Sequence, residues 1–73
     1  GRPVHDAPVA VTVIDDSAMR ADAWATALTV MGVDAGLAFA EHHGLAARFL
    51  VRDGRRLVER VSLRFDALSE IAG

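Results

Sequence analysis

Asp22 and Thr26 stand four residues apart in the run Ala-Met-Arg-Ala-Asp-Ala-Trp-Ala-Thr-Ala-Leu that begins at Ala18. On a helix that spacing puts both side-chain oxygens on one face. A carboxylate and a hydroxyl are hard donors. They suit Mg²⁺, which takes a few protein oxygens and completes its octahedron with water and phosphate. The same spacing also describes an aspartate favoured early in a helix by the macrodipole, followed by a solvated threonine face. D-x-x-x-T alone does not choose between the two.

Asp15-Asp16-Ser17, after an apolar run, forms a second constellation. Paired carboxylates at a strand end can hold Mg²⁺, and V-I-D-D-S-A-M-R looks like the opening of a response-regulator receiver domain. A small receiver-like binding or signalling module using Asp15 and Asp16 is therefore the alternative reading. Against it, the nearest candidate phosphoacceptor, Asp53, sits in a turn, the chain has no lysine, and Met31-Gly32-Val33-Asp34 leaves no room for a second strand. The plainer reading is a strand-to-helix turn with capping oxygens.

The other candidates are weaker. His42 and His43 are adjacent, so on a helix they point about 100° apart and do not chelate one metal. At a helix end they read as a solvated cap. His5 has no evident partner. Residues 48–64 hold six arginines against Asp53 and Glu59, a local net of +4 (six minus two). That stretch has no aromatic platforms interleaved on an arginine face, which argues against nucleic acid. Ser17, Ser62 and Ser69 lack a base at a recognisable spacing, and there is no glycine-rich phosphate loop.

The elements that must position these residues follow from pattern. Residues 1–8, with both prolines, read as a loop leading into the fold, and 9–73 as the folded segment. Val9 to Ile14 is a β-branched run that predicts a strand buried on both faces. Ser17 offers an N-cap for a helix from Ala18 to Met31, with Trp24, Ala27, Leu28 and Met31 as its buried stripe. Asp22, Thr26 and Thr29 recur at i, i+4, i+7 on a different face. Gly32 ends that helix, and Asp34 caps a second from Ala35 to His43 that buries Leu37, Phe39 and Ala40 and stops at Gly44.

Ala46–Val51 and Arg56–Leu63 flank Asp53-Gly54, a hairpin signal. A two-residue loop pairing Leu50 with Leu57 mixes apolar and arginine residues on both faces. A three-residue loop, Arg52-Asp53-Gly54, gathers Ala47, Phe49, Val51, Leu57, Val61 and Leu63 on one face. Arg48, Arg52, Arg56, Arg60 and Arg64 then share the other, so the expectation is the bulged three-residue turn. A short helix, Phe65 to Ile71, ends the chain. The fold class is α+β, in the order β-α-α-β-β with a short terminal helix.

Composition bounds the rest. The chain has 73 residues, 52% of them hydrophobic, no cysteine and a formal net charge of −2. It is too short for two domains and too apolar for a disordered segment. Lacking cysteine, it is no disulfide scaffold, zinc ribbon or thiol enzyme. The mild charge is no footprint for nucleic acid or anionic membrane, and no apolar run is long enough to span a bilayer. A domain of this size hides only about 60% of its unfolded surface. The chain opens at Gly1-Arg2-Pro3, and the expectation is that it is part of something larger.

The residues carry a resemblance. Val11–Ile14, Ser17–Leu28 with its A-D-A-W-A-T core, and Val30-Met31-Gly32 resemble the C-terminal part of the ApbE family, the FAD:protein FMN transferases. Gly36–Glu41, the hairpin around Asp53-Gly54, and Ser62 followed by Phe65 continue it. Gly1-Arg2-Pro3-Val4 looks like the tail of the family's D-P-x-T-G-x-P segment. The most specific part is A-D-A-x-A-T with an apolar turn and Gly, far more discriminating than D-x-x-x-T.

The resemblance implies that residues 1–73 are the C-terminal segment of a single, longer flavin transferase domain, with Asp22 and Thr26 as metal ligands. It implies Mg²⁺-dependent transfer of FMN, with FAD as substrate, to a threonine of a target redox protein, and release of AMP. The implied partners are FAD, a target subunit of a membrane redox complex, and the upstream part of the same domain; no membrane span or nucleic acid is implied. The implied location is the periplasm, or the membrane surface as an anchored lipoprotein. No catalytic base and no flavin-contacting residue is assigned in this stretch. The 73 residues alone are expected to be inactive.

Overall fold

The computed structural model describes residues 8–72, and side chains among them through Glu70. The loop expected over residues 1–8, His5 within it, and the Gly1–Val4 motif tail lie outside the described residues, except Pro8. The elements are β1 (Ala10–Ile14), α1 (Ala18–Met31), α2 (Val33–His43), β2 (Ala46–Asp53), β3 (Arg56–Val61) and α3 (Leu63–Ala72). The architecture is mixed α and β, in the expected order, and α1 has the expected ends. The strands form one antiparallel sheet in the order β1-β2-β3. A receiver domain is built on a parallel sheet instead.

Local chemistry explains the ends of the helices. Ser17 caps α1, its side chain accepting the Arg20 N–H at 3.2 Å. Gly32, at φ 89°, ends α1 and opens α2 in one residue, its N–H reaching the Leu28 and Thr29 carbonyls. A side chain rarely takes that φ, so the two helices turn sharply only because a glycine stands there. The second helix therefore starts at Val33, earlier than expected. Asp34 lies inside its first turn, where it faces the dipole, and makes no cap. Gly44 closes α2 in the left-handed conformation, as expected.

The core lies between the two helices and one face of the sheet. It consists of Val13, Leu28, Val33, Ala40, Ala47 and Phe49, with Phe49 and Leu28 fully buried. Burying side chains of that size contributes about 1.5–3 kcal/mol each. On α1, Ala21 and Ala25 pack with Trp24 and Leu28 against this cluster, while Met31 stays exposed at the rim. The buried stripe is thus rotated from the one expected. Strand β1 is buried on one face only: Val13 is inside and Ile14 is exposed. As an edge strand it pairs with β2 alone, and its apolar outer residues carry no layer above them among the described residues.

The hairpin departs from expectation in register. Asp53 pairs with Arg56, so the loop is the two residues Gly54-Arg55, not the expected bulged three-residue turn Arg52-Asp53-Gly54, and one position later than the two-residue alternative. Gly54 has φ 67°, and positive φ at the first loop residue suits glycine. Cross-strand partners share a face, so Ala47, Phe49 and Val51 sit with Ser62, Arg60 and Val58 on the helix side. Arg48, Leu50 and Arg52 sit with Leu57, Glu59 and Val61 on the other. Apolar and arginine residues are mixed after all. The sheet tolerates this because its arginines reach water or a carboxylate: Arg60 on the edge strand bonds Asp34 at 3.2 Å, and Arg48 on the central strand bonds Glu59.

Candidate functional site

Asp22 and Thr26 lie on the outward face of α1, both exposed. The Thr26 hydroxyl donates to the Asp22 carbonyl at 3.0 Å. A carbonyl only accepts, so the hydroxyl proton is committed to the helix and its lone pairs face outward. Beside it the Asp22 side chain offers carboxylate oxygens on the same face. The donor set is thus a carboxylate and an outward-facing hydroxyl oxygen, both hard ligands that fit Mg²⁺ and leave most of an octahedron open. Among the described residues no three carboxylate or imidazole side chains gather into a metal-binding cluster.

The surroundings of this pair are unusual for a solvent-facing helix. Met19 and Val30, on the same side, are 82% and 83% exposed. With Leu28, Trp24 and the packed alanines on the inner side, α1 carries large apolar side chains on both its inner and its outer side. That pattern belongs to helices covered on both sides.

Asp15 and Asp16 do not form a paired-carboxylate site. Asp15 Oδ1 accepts the Ser17 N–H at 2.9 Å and two N–H groups of Arg20 at 3.1 Å. The Ser17 N–H foremost, and then Arg20, hold its carboxyl below the ordinary carboxylate range. Its Oδ1 is spent on the turn that starts α1. A shallow cleft of about 350 Å³ opens beside it, lined by Asp15, Asp16, Arg20, Arg64, Ile14 and Leu68 among others. Another, of about 420 Å³, lies at the hairpin tip by Val51, Val58 and Arg60. Neither contains Asp22 or Thr26, whose face is open and convex.

His42 and His43 are exposed at the end of α2, their rings edge to face at 4.9 Å, with His43 over Phe39 at 4.1 Å. That is packing at a helix end.

Ser62, set aside at first for want of a base, is the one fully buried polar side chain among the described residues. Its hydroxyl donates to the Leu45 carbonyl at 2.6 Å and accepts from Ala47 N–H at 3.0 Å and Phe65 N–H at 3.3 Å. It is thus the N-cap of α3, which starts at Leu63 and not at Phe65. The cue was a serine three residues before Phe65, where a helix cap belongs. Glu41 adds a second bond to that helix start, accepting the Leu63 N–H at 3.0 Å.

Comparison with known proteins identifies the family. Residues 1–49 match the profile of the ApbE family. The chain is 40% identical over 65 residues to the FAD:protein FMN transferase of Vibrio cholerae serotype O1, covering 89% of this chain and 20% of that protein. It is 39% identical over 54 residues to the Escherichia coli K12 protein of the same name, covering 74% of this chain and 15% of that one. The crystal structure of Pseudomonas stutzeri flavinyl transferase ApbE, apo form, superimposes with a TM-score of 0.83 at 48% identity. That match covers 92% of this chain and 22% of the other. The chain spans about a fifth of the length of the curated relatives it matches. On a family profile that covers two thirds of it and a fold shared over nearly all of it, the chain belongs to the ApbE family.

Proposed function

We propose that this chain is the C-terminal, metal-ligand-bearing segment of a single flavin transferase domain that moves FMN from FAD to a threonine of a target redox protein. The reading rests on one observation above the others. The Thr26 hydroxyl is turned by the Asp22 carbonyl so that an acceptor, and no donor, faces out beside the Asp22 carboxylate.

In this reading Asp22 and Thr26 hold Mg²⁺. When bound, the cation would supply charge neutralisation on the pyrophosphate as its phosphoanhydride bond breaks and the threonine oxygen, losing its proton, bonds the FMN phosphorus, with AMP leaving. The residues of this chain position that charge. Ser17 and Gly32 fix the ends of α1, and the Leu28–Phe49 contact fixes its seat on the sheet. The exposed Met19 and Val30 support a further segment of the same protein lying over this face and enclosing the site. The 73 residues alone then bind FAD weakly and transfer nothing. The target is a subunit of a membrane redox complex, met in the periplasm or at the membrane surface.

The test is Asp22→Ala in the full-length gene product. Mg²⁺-dependent flavinylation of the target is lost while the thermal unfolding midpoint stays put, because an exposed aspartate carries little packing. Transfer that survives the substitution overturns the reading, as does efficient transfer by the 73-residue chain.

A further inference from the structure

We propose that Thr29 is a third member of the α1 site, a positioning residue that holds the cation through one of its water ligands; this rests on Asp22 and Thr26 holding Mg²⁺. Thr29 follows Thr26 by three residues and Asp22 by seven, so the three lie on one strip of α1. Its hydroxyl donates to the Ala25 carbonyl at 2.7 Å, as that of Thr26 donates to Asp22. With the proton committed to the helix, Thr29 also shows only lone pairs to the outside. The strip is therefore a row of acceptors: carboxylate, hydroxyl, hydroxyl.

A row without a donor is a poor match for phosphate oxygens, which need one. It matches a hydrated cation, whose water ligands are all donors and which Mg²⁺ gives up reluctantly. The spacing agrees. Three residues of helix advance about 4.5 Å. Two Mg–oxygen bonds of about 2.1 Å at a right angle, followed by one hydrogen bond of about 2.7 Å, reach up to about 5.7 Å. A cation on Thr26 thus places a water within reach of the Thr29 oxygen. Back-bonding to the i−4 carbonyl also occurs in helices that bind nothing. What sets Thr29 apart is its alignment with Asp22 and Thr26 on an exposed face whose other large residues are Met19 and Val30.

The experiment is Mg²⁺ binding to the full-length gene product, followed by displacement of Mn²⁺ in electron paramagnetic resonance, with Thr29→Val, Thr29→Ser and Asp22→Ala. Groups that steady a ligand from outside typically change metal affinity by about 10–100-fold. Thr29→Val is expected to raise the Mg²⁺ Kd by about 10-fold, at the lower end of that range. Thr29→Ser, which keeps the oxygen, stays close to the parent, and the unfolding midpoints do not move. A Kd unchanged in Thr29→Val, or lost equally in Thr29→Ser, overturns the role of Thr29 while Asp22→Ala still abolishes binding. If Asp22→Ala binds Mg²⁺ like the parent, the reading of the whole site fails instead.

Discussion

Ser62 and Ala47 close the β2–β3 ladder reciprocally. The Ser62 N–H donates to the Ala47 carbonyl at 2.9 Å, and the Ala47 N–H donates to the Ser62 hydroxyl at 3.0 Å. A side chain here takes the place of a strand carbonyl, just where the chain leaves the sheet for α3. The same hydroxyl also donates to the Leu45 carbonyl, so one buried group ties the start of β2, the end of β3 and the start of α3.

Ser62→Ala should therefore be costly for so small a change. It strands the Ala47 N–H and the Leu45 carbonyl and removes the α3 cap. Buried unpaired groups cost about 1–3 kcal/mol each and a lost cap about 1 kcal/mol, so a loss of about 3 kcal/mol or more in urea unfolding is expected. A loss below about 0.5 kcal/mol, the range of ordinary surface substitutions, would show that the junction does not depend on this hydroxyl.

Gly36→Ala should destabilise as well, although alanine is the better helix former by about 1 kcal/mol. A Cβ at Gly36 would stand 3.0 Å from two ring atoms of Phe49 and 3.1 Å from the Leu28 carbonyl. Phe49 is fully buried and the carbonyl is backbone, so neither yields easily. Overpacking of this kind costs about 1–3 kcal/mol, which exceeds or cancels the propensity gain. A denaturant midpoint that falls with an unchanged slope is the expected signature; a midpoint that rises refutes the tight fit.

Asp15 gives a pH dependence with a definite sign. Its carboxyl is held low by the Ser17 N–H and Arg20, so its folded pKa lies below the unfolded value of about 3.9. The stability it contributes is full above that value and is lost as pH falls through the folded one. Asp15→Asn should therefore unfold more easily than the parent at pH 7, and the gap should close below about pH 4. A gap of constant size from pH 7 to pH 3 would mean that Asp15 acts through shape alone.

Arg60 and Asp34 form the opposite case. Their bond at 3.2 Å joins β3 to α2, but the side chains are 46% and 83% exposed. Exposed pairs contribute about 0–1 kcal/mol and are screened by salt. Arg60→Ala should shift the melting midpoint by about 4 °C at most, about 0.5 kcal/mol or less, and by less again in 0.5 M salt. A large loss would require a role for Arg60 beyond this pair.

Thr26→Val separates metal binding from folding. Valine keeps the branched shape and removes only the hydroxyl, whose bond is to the helix itself at an exposed position. Thermal unfolding should change by less than about 0.5 kcal/mol, while Mg²⁺ binding to the full-length product drops sharply. Equal Mg²⁺ affinity in parent and variant would remove Thr26 from the site.

Much of this was legible in the sequence because it is local. The ends of α1, the glycines at 32 and 44, the order of the elements and the face shared by Asp22 and Thr26 all depend on residues within one or two turns of each other. Family membership was legible for the same reason, since A-D-A-W-A-T with its trailing Gly32 is a contiguous signature. The register of β2 against β3 was not. Pattern favoured one clean apolar face, but the strand ends where a buried hydroxyl finds three partners, and two of them, Leu45 and Ala47, lie 17 and 15 residues from Ser62 in the chain. The rotation of the α1 stripe, which put Ala21 and Ala25 inward and left Met31 at the rim, follows from the seat that Phe49 and Gly36 offer.

The sequence by itself determined which oxygens share a helix face, because 3.6 residues per turn admits one answer. Only the tertiary structure decided that this face looks away from the core, and that Ser62, not an arginine-free strand face, sets the sheet. Helical periodicity is a property of neighbours along the chain. Burial and partner choice belong to residues that meet only when the layers close.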